Sequence, residues 1–316
     1  MSLYFISGIL LLVSLIVFIQ IAKKYNIVDV PNHRSSHQTV TIRGGGIIFP
    51  LSVFIFYVVS DYSYTMFSFA ILLIAIISLV DDIQPLKTTT RLIFHVISAS
   101  LIIVELFNML DLIYIPIVLF IIIGGINAYN FMDGINGITS TYSMVVLSTL
   151  LYLNHEIDFV NNDLIIIPLI SVVIFSFFNF RKKAICFSGD VGSLSIALLV
   201  LFLLLKLIIT TNEPLYALLL SVYAIDTAYT MIVRKFRGEN VFKPHRNHLF
   251  QILVNEKGYS HLFVSTIYGI IQLIINYLVI IHIINLNYSY FWALTLLVFI
   301  SALYIFVKSK NERKII

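Results

Sequence analysis

A single cysteine, Cys186, stands among 316 residues, and only 11% of the chain is charged. One cysteine excludes a disulfide framework and any multi-cysteine metal site. Soluble globular domains carry about 25% charged residues, so a soluble fold of this length could not cover its surface. Apolar–polar alternation is also missing, which excludes a membrane barrel built from strands. Apolar residues make up 59% of the chain and gather in continuous runs. These features describe an all-α polytopic integral membrane protein.

At roughly 20 residues per crossing, the length holds at most about fifteen helices, and the loops lower that to ten or eleven. The runs lie near residues 3–22, 45–60, 65–80, 92–107, 112–127, 138–153, 163–180, 192–210, 214–233, 262–284 and 290–307. That gives about eleven transmembrane helices in one domain spanning 1–316. Several runs have only about 16 residues, short enough to need bilayer thinning or snorkelling flanks. The first run is expected to stay in the protein, because Lys23 and Lys24 follow it and no small-residue cleavage site is visible.

Charge sets the expected orientation. With the N-terminus outside, the inner segments hold Lys23, Lys24, Arg34, Arg43, Lys87, Arg91, the 181–183 triplet, six basic residues between Arg234 and Lys257, and four in the tail. Nineteen of the twenty basic residues then share one side, and the twentieth, Lys206, can snorkel. The C-terminus is therefore expected in the cytoplasm. The net charge of +4 reflects this asymmetry and gives no reason to expect nucleic acid. Acidic residues on the outer side fall in short connectors, so the chemistry is expected in the inner loops, about 23–44, 81–91, 128–137, 181–191 and 234–261.

Each inner loop admits two readings. Gly44, Gly45 and Gly46 open a helix just after Arg43; their N–H groups suit a phosphate, or they mark a flexible loop and tight packing. Asp81 and Asp82 suit a divalent cation or a base, or form an acidic helix end in solvent. Lys87 and Arg91 in that loop can hold an anion or act as positive-inside markers. Asn127, Asn130, Asp133 and Asn136 are spaced by three and would share one face if the segment is helical; they line a ligand site or satisfy one another as a polar cap. Asp190, between Gly189 and Gly192, is a metal ligand or a helix N-cap. His245 and His248 flank Arg246, and an anion clamp suits them better than a metal site, since no third His or Cys accompanies them. Asp226, inside the ninth run, needs a partner, for which Arg234 is one candidate. Carboxylates for a hard cation beside Arg, His and glycine N–H groups point to diphosphate chemistry.

The segments DVPNHRSSHQTVTIRGGG, VDDIQPLKTTTRL, NAYNFMDGINGIT, FSGDVGSLS and PHRNHLFQ, in that order over roughly 29–251, resemble the polyprenyl-phosphate N-acetylhexosamine-1-phosphate transferases, glycosyltransferase family 4. The resemblance implies transfer of a sugar-1-phosphate from a UDP-N-acetylhexosamine to undecaprenyl phosphate, with Mg²⁺ or Mn²⁺, releasing UMP. That is a phosphotransferase of the EC 2.7.8 type in the bacterial cytoplasmic (inner) membrane, working on the cytoplasmic face. It would begin a cell-surface polysaccharide in lipopolysaccharide, capsule or cell-wall biogenesis.

Carried over by motif, Asp81, Asp82, Asp133 and Asp190 are the implied catalytic set. Asp81 would be the base that readies the lipid phosphate, and Asp190, Asp133 and Asp82 would hold the metal. His37, Arg43, Lys87, Arg91, Asn127, Asn130, Asn136, Asn179, Phe187, His245, Arg246 and His248 are the implied substrate-binding set, with Phe187 stacking on uracil. Dimers are frequent in that family, so a homodimer is also an expectation. Two departures stand out. Asn136 replaces the Asp usual in D-G-x-D-G, and PHRNH replaces a run of three histidines; RSSH and PHRNH look more like the O-antigen and capsule initiators than the peptidoglycan translocase. Direct transfer is favoured over a phospho-enzyme, because the site must hold both substrates at one membrane face. A secondary transporter would place ionisable groups at the midplane in repeated halves, and only Asp226 sits there. A Mg²⁺-dependent prenyltransferase would need an Asp four residues beyond the Asp81–Asp82 pair.

Overall fold

In the computed structural model, which describes residues 2–31, 35–240, 245–284 and 290–311, every apolar run is helical. Arg34, Lys243, Arg313 and Lys314 of the charge count, and Pro244 of the PHRNH segment, lie outside the described residues. Helix is the only way an open chain satisfies its backbone groups in hydrocarbon. In chain order the helices are α1 (Ser2–Lys24), α2 (Ile48–Val59), α3 (Thr65–Ile83), α4 (Thr88–Leu106), α5 (Ile115–Met132) and α6 (Ile138–Ile157). They continue as α7 (Asp163–Asn179), α8 (Gly189–Thr211), α9 (Ser221–Phe236), the short α10 (Leu249–Asn255), α11 (His261–Ile284) and α12 (Tyr290–Asn311).

Among the described residues, eight helical segments are long and apolar enough to cross a membrane, so the chain is an all-α polytopic membrane protein. Two more, Gly45–Val59 and Asp163–Asn179, are apolar but shorter. The remaining run, α6, is more polar, and four of its hydroxyl residues, Thr139, Ser140, Ser143 and Thr149, are buried. Tyr142 of α6 stacks on Tyr223 of α9 with ring centroids 3.6 Å apart. Lys206, expected to snorkel, reaches Met109 Sδ at 3.0 Å.

The helices run past several of the apolar runs. α5 continues five residues beyond 127, so half of the loop expected at 128–137 is helix and Asn130 stands on its last turn. α8 begins at Gly189 rather than 192, which places Asp190 in its first turn. Polar residues at a helix end remain helical when neighbouring elements satisfy them, so hydropathy alone ended these helices early.

α8 is apolar all round, and 83% of its spanning window is buried, as expected of a helix surrounded by others. It packs against α2, α3, α5 and α6. Its first turn lies against the turn at Gly45–Ile47 that starts α2. A Cβ on Gly46 would collide with the Gly192 backbone, and one on Gly192 with Gly46. The N–H groups of Gly45 and Gly46 donate to the carbonyls of Phe187 and Ser188 at 2.8 and 3.0 Å. The glycine triplet is thus a packing device, and these two N–H groups are not available to a phosphate.

A feature absent from the all-α expectation is a two-residue antiparallel ribbon, β1 (Val28–Asp29) with β2 (Thr41–Ile42). It is extended by a bridge from Ile42 to Cys186. The ribbon ties the loop between α1 and α2 to the segment before α8, where both border the same cavity.

Candidate active site

The ends of α3, α4, α5 and α8 meet at one charged cluster. Asp82, on the last turn of α3, accepts hydrogen bonds from the N–H groups of Asp190 and Val191 at 3.0 and 3.1 Å. It therefore caps α8 from another helix, where the N-terminal dipole favours an anion. Arg43 Nε lies 2.6 Å from Asp82, and its Nη2 is 3.1 Å from Asp190. Arg91, in the first turn of α4, reaches Asp190 at 3.0 Å and Asp81 at 3.4 Å. Asn130 Nδ2 donates to Asp190 at 3.2 Å and to Ser193 Oγ at 3.0 Å. Three carboxyl groups thus face two guanidiniums across the cluster.

Next to the cluster opens a cavity of about 450 Å³. Arg43, Asn130, Asp133 and Asp190 line its inner wall. Asp133, at the end of α5, accepts from Thr139 Oγ1 at 2.5 Å and from Ser188 Oγ. Burial pushes the Asp133 carboxyl above the usual carboxylate range, while those two hydroxyls oppose the rise. His37 and Phe187 face each other edge to face at 4.8 Å on another wall. His245 also lines the cavity; burial, with the neighbouring His248, holds it neutral with a pKa near about 4. Cys186 is buried and its thiol is pushed up to about 12, which leaves it no role as a nucleophile.

Of the residues singled out from sequence, Arg43, Asp133, Asp190, Asn130, Asn136, Asn179, His37, Phe187 and His245 line this cavity. The others do not. Asp82 is expected as a metal ligand, but its side chain is fully buried and engaged by Arg43 and the α8 N-terminus. Asp81, expected as a base, accepts the Leu86 N–H at 2.7 Å and faces Arg91. Arg91 supports Asp190 from outside the lining. Lys87 is exposed, and Asn127 donates to the carbonyl of Ile123, one turn back on its own helix, at 2.7 Å. Arg246 donates to the Ser35 carbonyl. His248 is buried against Asp226 at 2.9 Å, so the partner of Asp226 is His248, while Arg234 pairs with Glu239 at 2.8 Å.

Of two further lining amides, one is fully engaged and the other half engaged. Asn179 accepts from Gly137 N at 2.7 Å and donates to the Cys186 carbonyl at 3.0 Å. The Asn136 amide donates to the Arg181 carbonyl at 2.8 Å, leaving its buried Oδ1 without a hydrogen-bond partner. Of the lining residues not singled out from sequence, such as Ser188 and Gln251, His261 alone lies outside the quoted segments. His261 Nε2 lies 3.1 Å from the Ser36 carbonyl, and its Nδ1 accepts the Asn136 N–H at 3.2 Å. A lone histidine opening an apolar helix carries no motif, so only folding reveals it.

Among the described residues, no three His, Cys, Asp or Glu side chains form a cluster that would hold a metal alone. Mg²⁺, however, is commonly held by one or two carboxylates together with substrate phosphates. Asp190 and Asp133, both lining the cavity, fit that requirement, and Asp82, outside the lining, does not.

Residues 64–208 match the family model described as Glycosyl transferase family 4. That stretch contains the α3, α4, α5 and α8 parts of the cluster but not Arg43, His37 or His245. The chain is 26% identical to the probable undecaprenyl-phosphate N-acetylglucosaminyl 1-phosphate transferase of Bacillus subtilis, over 77% of this chain and 73% of that protein. It is 28% identical to the phospho-N-acetylmuramoyl-pentapeptide-transferase of Orientia tsutsugamushi, over 70% of this chain and 75% of the relative. With the enzyme of that name from Streptococcus mutans the identity is 31%, but the match spans only 44% of either chain.

Proposed function

We propose, from the premise that this chain belongs to glycosyl transferase family 4, that it transfers an N-acetylhexosamine-1-phosphate from a UDP-sugar to undecaprenyl phosphate. The products are undecaprenyl-diphospho-sugar and UMP, and the reaction begins a cell-surface polysaccharide. The chain crosses a bacterial inner membrane eleven times, with its N-terminus outside and the cavity open to the cytoplasm. The carrying observation is the Asp82–Arg43–Asp190–Arg91–Asp81 network beside a polar cavity.

Asp190 and Asp133 would hold Mg²⁺, or Mn²⁺, with the donor diphosphate, where the cation supplies charge neutralisation at the transferred phosphoryl group. Arg43 places a guanidinium on the same wall, suited to phosphate oxygens. Asp82 keeps Arg43 and α8 in register, and Arg91 keeps Asp190 aimed. Phe187 offers an aromatic face and edge to the uracil, and His37 and His245 border the sugar. A phosphate monoester has its second pKa near ~6, so the lipid phosphate is largely a dianion at neutral pH and needs no base. Asp81 is therefore assigned to holding Arg91 rather than to proton transfer. An oxygen of the lipid phosphate attacks the β-phosphorus; the bond to the bridging oxygen breaks in line, and UMP leaves with that oxygen. Positioning and electrostatics supply most of the acceleration.

The PHRNH and RSSH segments favour a polysaccharide initiator over a peptidoglycan enzyme. The test is UMP release by purified protein with undecaprenyl phosphate, Mg²⁺ and a panel of UDP-N-acetylhexosamines that includes UDP-N-acetylmuramoyl-pentapeptide. One aminosugar donor should turn over, with activity lost in EDTA and reduced at least about 100-fold in Asp190→Asn. Turnover of the muramoyl-pentapeptide donor alone would move the protein to peptidoglycan synthesis. Silence with every donor, in folded protein, would end the transferase reading.

A further inference from the structure

Asp226 lies within α9, fully buried, at a depth where an ionised carboxylate is costly unless it is matched. It is matched from four elements. His248 Nδ1 is 2.9 Å from its Oδ1, and because a carboxylate can only accept, that nitrogen carries the proton. The Leu249 N–H at 3.4 Å and Thr230 Oγ1 at 3.3 Å donate to the same oxygen. Tyr268 of α11 donates to Oδ2 at 2.6 Å, and Tyr304 of α12 to Oδ1 at 2.9 Å. Behind them, the buried Lys308 of α12 donates to Thr230 Oγ1 at 2.7 Å and Tyr304 OH at 3.2 Å.

His248 is where this network meets the cavity. It is the N-cap of α10, its backbone N–H donates to Gln251 Oε1 at 3.3 Å, and Gln251 lines the cavity. Three residues earlier, the lining His245 has its ring 4.9 Å from that of His248. The same segment then grips the first inner loop: Arg246 holds the Ser35 carbonyl, and Asn255 Nδ2 donates to Ser36 Oγ at 3.1 Å. His37, which also lines the cavity, follows directly. Moving His248 would therefore move both His245 and Gln251.

We propose that Asp226 is a positioning residue for the cavity segment 245–251, and that α12 belongs to the same unit through Tyr304 and Lys308. The last helix is then a working part of the site as well as a membrane segment. The kinetic half of this inference rests on the transferase reading, and the structural half does not.

Two measurements on the full-length protein separate those halves. In Asp226→Asn and Tyr304→Phe, hydrogen exchange at 245–251 should quicken about 10-fold or more, with the α8 amides unchanged. In the UMP assay the donor KM should rise about 10-fold while the acceptor KM holds. Simple destabilisation would lower kcat through the active fraction and leave both KM values alone. Tyr304→Phe removes one donor only and remains the test if Asp226→Asn does not fold. Unchanged exchange at 245–251 in a folded variant overturns the proposal, as does quickened exchange with an unchanged donor KM. Wild-type protein that releases no UMP, in variants whose exchange responds as stated, supports the positioning role and overturns the transferase reading instead.

Discussion

His245 is held neutral by burial, with a pKa near about 4, against about 6.5 for a free histidine. The folded state therefore resists a proton that the unfolded chain accepts. The stability this residue supports is present above about pH 6.5 and is lost as pH falls toward about 4. One group contributes at most about 1.4 kcal/mol per pH unit. Melting curves in detergent should fall between those limits, and less steeply in His245→Gln. An equal slope in both proteins would show that His245 accepts a proton without cost in the fold. The four aspartates show how environment divides one residue type. Asp190 and Asp133 face the cavity, whereas Asp82 is spent on the α8 N-terminus and Asp81 on Arg91 and Leu86. Nothing in the residue letters distinguishes Asp81 from Asp82 or either from Asp190.

At the scale of elements, the start of α8 is the pivot. It brings together the α2 turn, the end of α3 and the last turn of α5, and it can do so because Gly46 and Gly192 lie in contact. Gly192→Ala would force backbones apart where Asp190 must meet Arg43. Overpacking of this kind costs about 1–3 kcal/mol, and both melting temperature and UMP release should drop. Gly124→Ala, with open space around its Cβ, is the matched control and should change neither. Comparable losses in both variants would remove the contact from the explanation. A second such arrangement supports the break before α9. Gln272 of α11 donates to the Leu218 carbonyl at 3.1 Å and accepts the Val222 N–H at 3.0 Å. Backbone groups freed by an irregular turn at membrane depth are thereby satisfied by a neighbouring helix.

For the whole molecule, the charge asymmetry predicts which loops face which compartment. Cys186 is buried and gives little background for thiol labelling. An impermeant maleimide should label Asn161→Cys in intact cells and Lys182→Cys only in inverted membranes. The opposite pattern would invert the topology and place the cavity outside. The class, the helical runs and the loops that border the cavity were all legible in the sequence, because lipid imposes a local, additive requirement on each apolar stretch and the polar residues between the stretches are left to form the site. Helix ends were less legible, since Asn130 and Asp190 remain helical only by virtue of partners on other helices. What tertiary structure alone decided is the pairing: Arg91 with Asp190 across 99 residues, Arg43 with Asp82, Asp226 with His248, and His261 at the cavity wall. Those contacts depend on how the helices rotate and approach one another, and that geometry is set by side-chain packing over the whole bundle rather than by the composition of any one segment.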